Sequence, residues 1–253
     1  MIEIIHLYKS FDEREVLHDI SIPFEPGKTN LIIGQSGSGK TVLMKCLIGL
    51  YTPEKGSILY DGRNVTEMDK HERNLISQEM GILFQGSALF DSMTVEENVM
   101  FPLTMFTDKS LEEKKDRVDF CLQRVNLENA NDLYPSQISG GMKKRVAIAR
   151  AIALNPKYLF CDEPNSGLDP KTSLIIDQLI YEITQEYNMT TVVNTHDMNS
   201  VMEIGDTVSF IFQGNLCWRG SNKEILDADN KEVHDFIYAS KFAQQMYNKA
   251  RRQ

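Results

Sequence analysis

The stretch that most restricts what this chain can fold into is "NLIIGQSGSGKTVLMKCLIGL", residues 30–50. It opens with a short, nearly all-apolar run of the kind found in strands buried on both faces. It closes with a helical pattern. Between them lie eight residues, Gly34, Gln35, Ser36, Gly37, Ser38, Gly39, Lys40 and Thr41. Glycines let backbone N–H groups wrap closely round phosphates, and a helix start presents more of them. At this spacing Lys40 reaches the β- and γ-phosphates of a nucleotide and the Thr41 hydroxyl binds Mg²⁺.

Two further runs, "YLFCD" at 158–162 and "TTVVNTH" at 190–196, share the look of fully buried parallel strands. Helical patterns lie between them. In "SLIIDQLIYEI" the spacing puts Leu174, Ile175, Leu179 and Ile183 on one face, with Asp169 as cap and Pro170 as first residue. The alternation predicts an α/β fold with a parallel-sheet core. "IEIIHLYKSF" and "GSILYDGRNV" read as strands, and "VSFIF"–"QGN"–"LCWRG" reads as a hairpin. Residues from 86 onward break the alternation, and Val118, Cys121, Leu122 and Val125 have helical spacing. The expected organisation is a domain over 1–227 with a helical lobe inserted at about 86–155, followed by a helical tail over 228–253.

A phosphate loop of this type needs a carboxylate at the end of a neighbouring strand, and "YLFCDE" supplies two. Asp162 is placed to hold the magnesium, and Glu163 to polarise an attacking water as general base. His196 ends a third buried run and would sit near the γ-phosphate. "ISGGM", residues 138–142, is a second anion-ready helix start, with Ser139 as cap and Gly140 and Gly141 in the first turn. Each glycine there costs about 1 kcal/mol against alanine, which asks for a reason.

The net charge of −9 argues against a large nucleic-acid surface. Cys46, Cys121, Cys161 and Cys217 lie far apart without metal-ligand spacing, the pattern of buried thiols in a reducing compartment. No signal peptide and no apolar run of membrane-spanning length is evident, so a cytosolic location is expected.

Taken in order, Gly34–Thr41 (a Walker A loop), "ISGGM", "YLFCDE", "SGLD" at 166–169 and His196 resemble the motifs of an ATP-binding cassette (ABC) ATPase along nearly the whole chain. That resemblance implies a P-loop NTPase fold with an antiparallel β subdomain, and ATP with Mg²⁺ as ligands. It implies that Gln85 is the Q-loop glutamine, near the metal, and that Phe11 stacks on adenine. Ser166, Gly167, Leu168 and Asp169 match the D-loop. It also implies that the chain works as a head-to-tail pair, so Ser139, Gly140, Gly141 and Met142 meet the partner's ATP and a β-carbon at either glycine would hold that phosphate away. Met142 departs from the family, where glutamine is usual.

The segment "GSALFDSMTVEENVMFPL", together with "ISGGMKKRVAIARAIALNP", "DEPNSGLDP" and the late "EVHDFI", is similar to the ATPases of Mla-type phospholipid transport systems. That implies a separate permease, an MCE-domain lipid-binding protein, in some members a STAS-domain regulator, and a peripheral place on the cytoplasmic side of the inner membrane. Polar amino acid and methionine importer ATPases share most of the motifs. Soluble cassettes that act on DNA or in translation carry coiled-coil insertions or two cassettes per chain, which this sequence lacks.

Overall fold

The computed structural model describes residues 1–12 and 14–239. Along them run strands β1 (Ile2–Phe11), β2 (Arg14–Phe24), β3 (Thr29–Ile33), β4 (Lys55–Tyr60), β5 (Arg63–Asn64), β6 (Met80–Leu83), β7 (Tyr158–Asp162), β8 (Thr190–Thr195), β9 (Thr207–Phe212) and β10 (Asn215–Gly220). The α-helices are α1 (Lys40–Leu47), α2 (Lys70–Gln78), α3 (Val95–Phe106), α4 (Leu111–Arg124), α5 (Gly140–Ile152), α6 (Pro170–Tyr187), α7 (Met198–Ile204) and α8 (Lys231–Ile237). Four strands pair antiparallel in the order β2-β1-β4-β5, and six form the core sheet in the order β10-β9-β3-β8-β7-β6. Within the core sheet only β10 runs antiparallel to its neighbour; the other pairings are parallel. This is the expected α/β P-loop cassette fold.

The apolar runs are apolar throughout because each strand faces two cores. Leu31 and Ile33 of β3 join one cluster, with residues of α3, α4, α5 and α6, while Ile32 joins the other, with residues of α1, β1, β2 and β4. Strand β7 divides the same way, Leu159 and Cys161 against Tyr158 and Phe160. Register then sets the site. Ile33 lies opposite Thr195 and Phe210, and Asp162 opposite Asn194. The loops that leave β3, β7 and β8 therefore emerge together at the carboxyl edge of the sheet, where open α/β folds bind ligands.

Several local expectations change. "GSILYDGRNV" is two strands, broken where Asp61 and Gly62 take positive φ of 47° and 78°. Strands β2 and β6 and helix α2 were not anticipated; α2 is largely polar, with only Ile76 buried, but Asp69 and Glu72 close a capping box at its start. In α6 the predicted face is wrong in part: Leu174 and Ile175 are 46% and 41% exposed, while Ile176, Ile180 and Ile183 are fully buried. Six apolar residues from 174 to 183 offer two overlapping helical stripes, and packing on α5 and α7 selects the second. Of the tail, α8 packs on the core cluster, with the Phe236 ring 5.3 Å from that of Phe210. Phe242 and Met246, whose spacing of four predicts a shared helix face, and Tyr247 lie outside the described residues. Among the described residues no helix is long and apolar enough to cross a membrane.

The choice of face is measurable. Ile176→Ala should cost about 2–5 kcal/mol in urea unfolding, the range for a buried aliphatic truncation. Ile175→Ala should cost less than about 1 kcal/mol.

Candidate nucleotide site

The start of α1 is unlike that of every other α-helix among the described residues. Among the described residues, seven of the eight α-helices have a side chain that caps the first turn: Asp69, Thr94, Ser110, Ser139, Asp169, Asp197 and Asn230. Helix α1 has Gly39 at its N-cap, with no side-chain acceptor. Its first N–H groups are left for an anion, which the positive end of the helix favours. The loop before it turns through positive φ at Gly34 (149°), Gly37 (80°) and Gly39 (109°). At Gly34 a β-carbon would lie 2.2 Å from the Ile211 carbonyl oxygen. Ser38 Oγ is buried with no hydrogen-bond partner among the described residues. An orphaned hydroxyl beside an uncapped helix start fits a phosphate.

Lys40 donates to the carbonyls of Gly34 (2.8 Å) and Gln35 (3.0 Å) from within the loop. Burial lowers its pKa, and the carboxylates of Glu163 and Asp162 oppose that shift. These three charges therefore already feel one another across the site.

At the end of β7, Asp162 Oδ1 accepts from Asn194 Nδ2 at 3.0 Å. Glu163 follows in a left-handed conformation, φ 49°, uncommon for a residue with a β-carbon. Its N–H donates to the Asn194 carbonyl (3.0 Å) and its carbonyl accepts from Ser166 N (3.1 Å), which fixes the turn. Glu163 Oε2 lies 2.8 Å from His196 Nδ1. The base candidate and the histidine are thus a bonded pair, one from the loop after β7 and one from the loop after β8. Glu163 and His196 share a cleft of about 760 Å³ with Gln35, Ser36, Gly37, Gly39, Lys40, Thr41 and Gln85.

Gln85 leaves β6 and its Nε2 donates to Ser166 Oγ at 3.2 Å, joining it to the segment after Glu163. The buried Lys144 ammonium of α5 donates to the Gln85 carbonyl. The Thr41 hydroxyl, the Gln85 amide oxygen and the Asp162 carboxylate are hard oxygen donors, the set that suits Mg²⁺. Asp162 Oδ2 takes no hydrogen bond among the described residues, so one oxygen of that carboxylate remains for a cation.

Ser139, Gly140, Gly141 and Met142 line no part of this cleft. Ser139 caps α5 by accepting from Met142 N at 3.3 Å. Gly140 has room for a β-carbon, but at Gly141 one would lie 2.7 Å from Thr172 Cγ2. Gly141 therefore has a packing reason within its own chain. Asp169 caps α6 by accepting from Lys171 N and Thr172 N at 3.1 Å, and Gly167 turns at φ 80°. Leu168 is partly buried against the core.

Phe11 does not line this cleft and is 38% exposed. Its ring packs edge-on to Tyr51 at 5.1 Å with Lys9 over it, and the apolar lining of the cleft comes from Val16, Val42, Phe236 and Ala239. Sequence reasoning also missed Asn194 and Lys144. Asn194 carried a signal, an amide inside an apolar run; Lys144 carried none that set it apart from Lys143.

An uncapped helix start, a buried lysine and a paired acid and histidine at one sheet edge define a nucleotide-binding protein of the P-loop class. The ABC transporter family profile matches residues 17–166. A probable ribonucleotide transport ATP-binding protein, mkl, of Mycobacterium leprae is 38% identical over 93% of this chain and 68% of its own length. The methionine import ATP-binding protein MetN of Photobacterium profundum is 41% identical over 92% of this chain and 69% of its own. The dimeric structure of MJ0796, a bacterial ABC transporter cassette, superposes with TM-score 0.80 at 31% identity, covering 88% of this chain and 99% of that one. That cassette has also been solved in a post-hydrolysis state with ADP and Pi. The chain belongs to the ABC transporter family. It is an ATP-binding ATPase, and it spans about two thirds of the length of those two relatives.

Gly141 offers a test with a suppressor. Gly141→Ala should lower ATP turnover by roughly tenfold or more by displacing Thr172 and the first turn of α6. Thr172→Ser removes the clashing methyl while keeping the hydroxyl on Asp169, and should restore most of the activity. Persistent loss in the double variant would mean that approach of a phosphate, not packing on Thr172, sets the requirement.

Proposed function

We propose that two copies of this chain close head to tail on two ATP molecules and that their hydrolysis drives a separate membrane permease. The observation that carries this is the pairing of one uncapped helix start at Lys40 with a second glycine-rich start at Ser139 outside the same cleft. A second chain would supply the missing side. In this reading the α1 N–H groups, Ser38 and Lys40 bind the phosphates, and Gln35, Ser36, Gly37 and Gly39 line them. Thr41, Gln85 and Asp162 would hold Mg²⁺, which when bound neutralises charge on the transferred phosphoryl group. Glu163 takes the proton of the attacking water, and His196 orients Glu163 through their hydrogen bond. Ser139, Gly140 and Gly141 meet the partner's γ-phosphate, Met142 abuts it, and Ser166–Asp169 lie across the pair. Phe11, exposed at the end of β1, stacks on the adenine. The cassette is read as residues 1–227 with its helical lobe at about 86–155, and 228–253 as an appended tail.

For the cargo, the relatives named for methionine and ribonucleotide transport favour a small polar solute carried by an importer-type permease. A phospholipid system with MCE-domain and STAS-domain partners is the second reading. It is favoured by the likeness of residues 86–103 to Mla-type ATPases and by Phe84, Phe90, Met105 and Phe106, each at least 37% exposed around that segment. Both readings place the chain peripherally on the cytoplasmic face of the membrane.

Two variants test the mechanism. Glu163→Gln should retain ATP binding and slow hydrolysis by about 10²–10⁴, with ATP-bound dimers accumulating on gel filtration. A wild-type rate would refute the assignment of the base. Ser139→Arg should spare ATP binding by the monomer and abolish turnover; loss of nucleotide binding itself would contradict the arrangement across two chains. Polypeptides that copurify from detergent-solubilised membranes decide the cargo: an MCE-domain protein would favour the phospholipid system, a permease alone the polar solute.

A further inference from the structure

Behind the cleft, and out of reach of its ligand, a buried carboxylate ties together the two loops that carry Glu163 and His196. Asp177 of α6 is 1% exposed and Ser200 of α7 is fully buried. Ser200 Oγ donates to Asp177 Oδ2 at 2.8 Å, and Asn165 Nδ2 donates to Ser200 Oγ at 3.0 Å. Asn165 stands between Glu163 and Ser166; Ser200, in the first turn of α7, follows His196 by four residues. The other titratable groups facing Asp177 are Asp197 and Glu203, beside Ser200 on the same stretch, and Cys161 of β7. Both carboxylates repel it. Among the described residues, Asp177 Oδ1 and Asn165 Oδ1 are buried acceptors with no donor. A carboxylate so placed, with one oxygen unbonded and like charges nearby, lowers stability. A local rule broken without a compensating contact is what functional sites display.

We propose that Asp177 is a positioning residue for ATP hydrolysis: through Ser200 and Asn165 its carboxylate holds the His196 segment against the Glu163–Ser166 segment, so that the His196–Glu163 pair keeps its bonding distance. This rests on the reading of Glu163 and His196 as the hydrolytic pair. Asp177 touches neither. Burial, reinforced by Asp197 and Glu203, pushes its pKa up to about 6 against the hydrogen bond from Ser200 and the nearby Asn165 amide, which lower it. An unfolded aspartate titrates near 4. Between those two values the folded chain binds more protons than the unfolded one. Stability therefore falls as pH rises through that window and stays lowered above it. The ionised form, which the proposal makes the working form, is the less stable one.

That opposition gives a test which a merely structural residue would fail. ATP turnover of the full chain is measured from pH 5.5 to 8.5 for wild type, Asp177→Asn, Ser200→Ala and the double variant, with thermal melts at each pH. Asparagine keeps the size but replaces the charged acceptor for Ser200 with a weaker, neutral one. At pH 8, Asp177→Asn should lower kcat by about 5–20-fold with KM for ATP within about twofold. Its Tm should nonetheless rise by roughly 2–6 °C. The ratio of wild-type to Asp177→Asn kcat should shrink toward one below about pH 6. Ser200→Ala, which severs the link but keeps the carboxylate, should give a similar loss of kcat, and the double variant should be no worse than the poorer single one. A wild-type kcat for either single variant, losses that multiply, a ratio independent of pH, or a kcat and Tm for Asp177→Asn that fall together would each overturn the proposal. Glu163→Gln assayed alongside separates the two ideas, since a wild-type rate there removes the hydrolytic pair on its own account.

Discussion

The N–H groups at the start of α1 have no side chain to satisfy them, and the surrounding structure is arranged to keep them so. Gly39 cannot supply a cap, and a β-carbon there would lie 2.8 Å from Leu17 Cδ2. The Ser38 carbonyl accepts from Gly214 N at 3.0 Å, and the Gly214 carbonyl accepts from His18 N at 2.9 Å. The turn between β9 and β10 thus clamps the loop from one side, and Lys40 braces it from within through Gly34 and Gln35. The loop holds its shape by contacts that leave its inward N–H groups available, which is preorganisation for an anion.

The same edge of the sheet gathers charge in a way that limits what each group can do alone. Lys40 and Lys144 are both buried, and burial lowers the pKa of each. Asp162 and Glu163 act on both ammonium groups in the opposite direction. Removing either acid therefore changes the field at two lysines, one in the phosphate loop and one beneath Gln85. Gln85 in turn holds Ser166. Lys144, Gln85 and Ser166 are thus joined by hydrogen bonds, while the two acids reach the lysines through their field alone.

Much of this was legible in the sequence because the chemistry is local. Gly34–Thr41 is contiguous, and the strand before it and helix after it can be recognised within twenty residues. Asp162, Glu163 and His196 were legible because each ends an apolar run, and runs buried on both faces have one way to present a polar side chain. Ser139 and Asp169 were legible as caps. What depended on tertiary packing was not. Leu174 and Ile175 lie on a plausible stripe and are exposed, since α5 and α7 choose among the faces of α6. The close contact a β-carbon at 141 would make is with Thr172, thirty-one positions away. Phe236 enters the cleft lining from the far end of the described chain, and Phe11 meets Tyr51 edge-on. No spacing rule joins those positions.

Strand β3, which feeds the phosphate loop, sits between β8 and β9. Its partners in the sheet are residues 190–195 and 207–212, so its nearest pairing in sequence is some 160 residues downstream. On a ribosome that adds about 5–20 residues per second, the loop would emerge and wait on the order of 8–30 s before either neighbour exists. The antiparallel sheet of β1, β2 and β4 needs only the first sixty residues and can form meanwhile. The phosphate-binding edge is thus encoded early and assembled late. A nascent or prematurely ended chain would display its most recognisable motif while lacking the strands that hold it in shape.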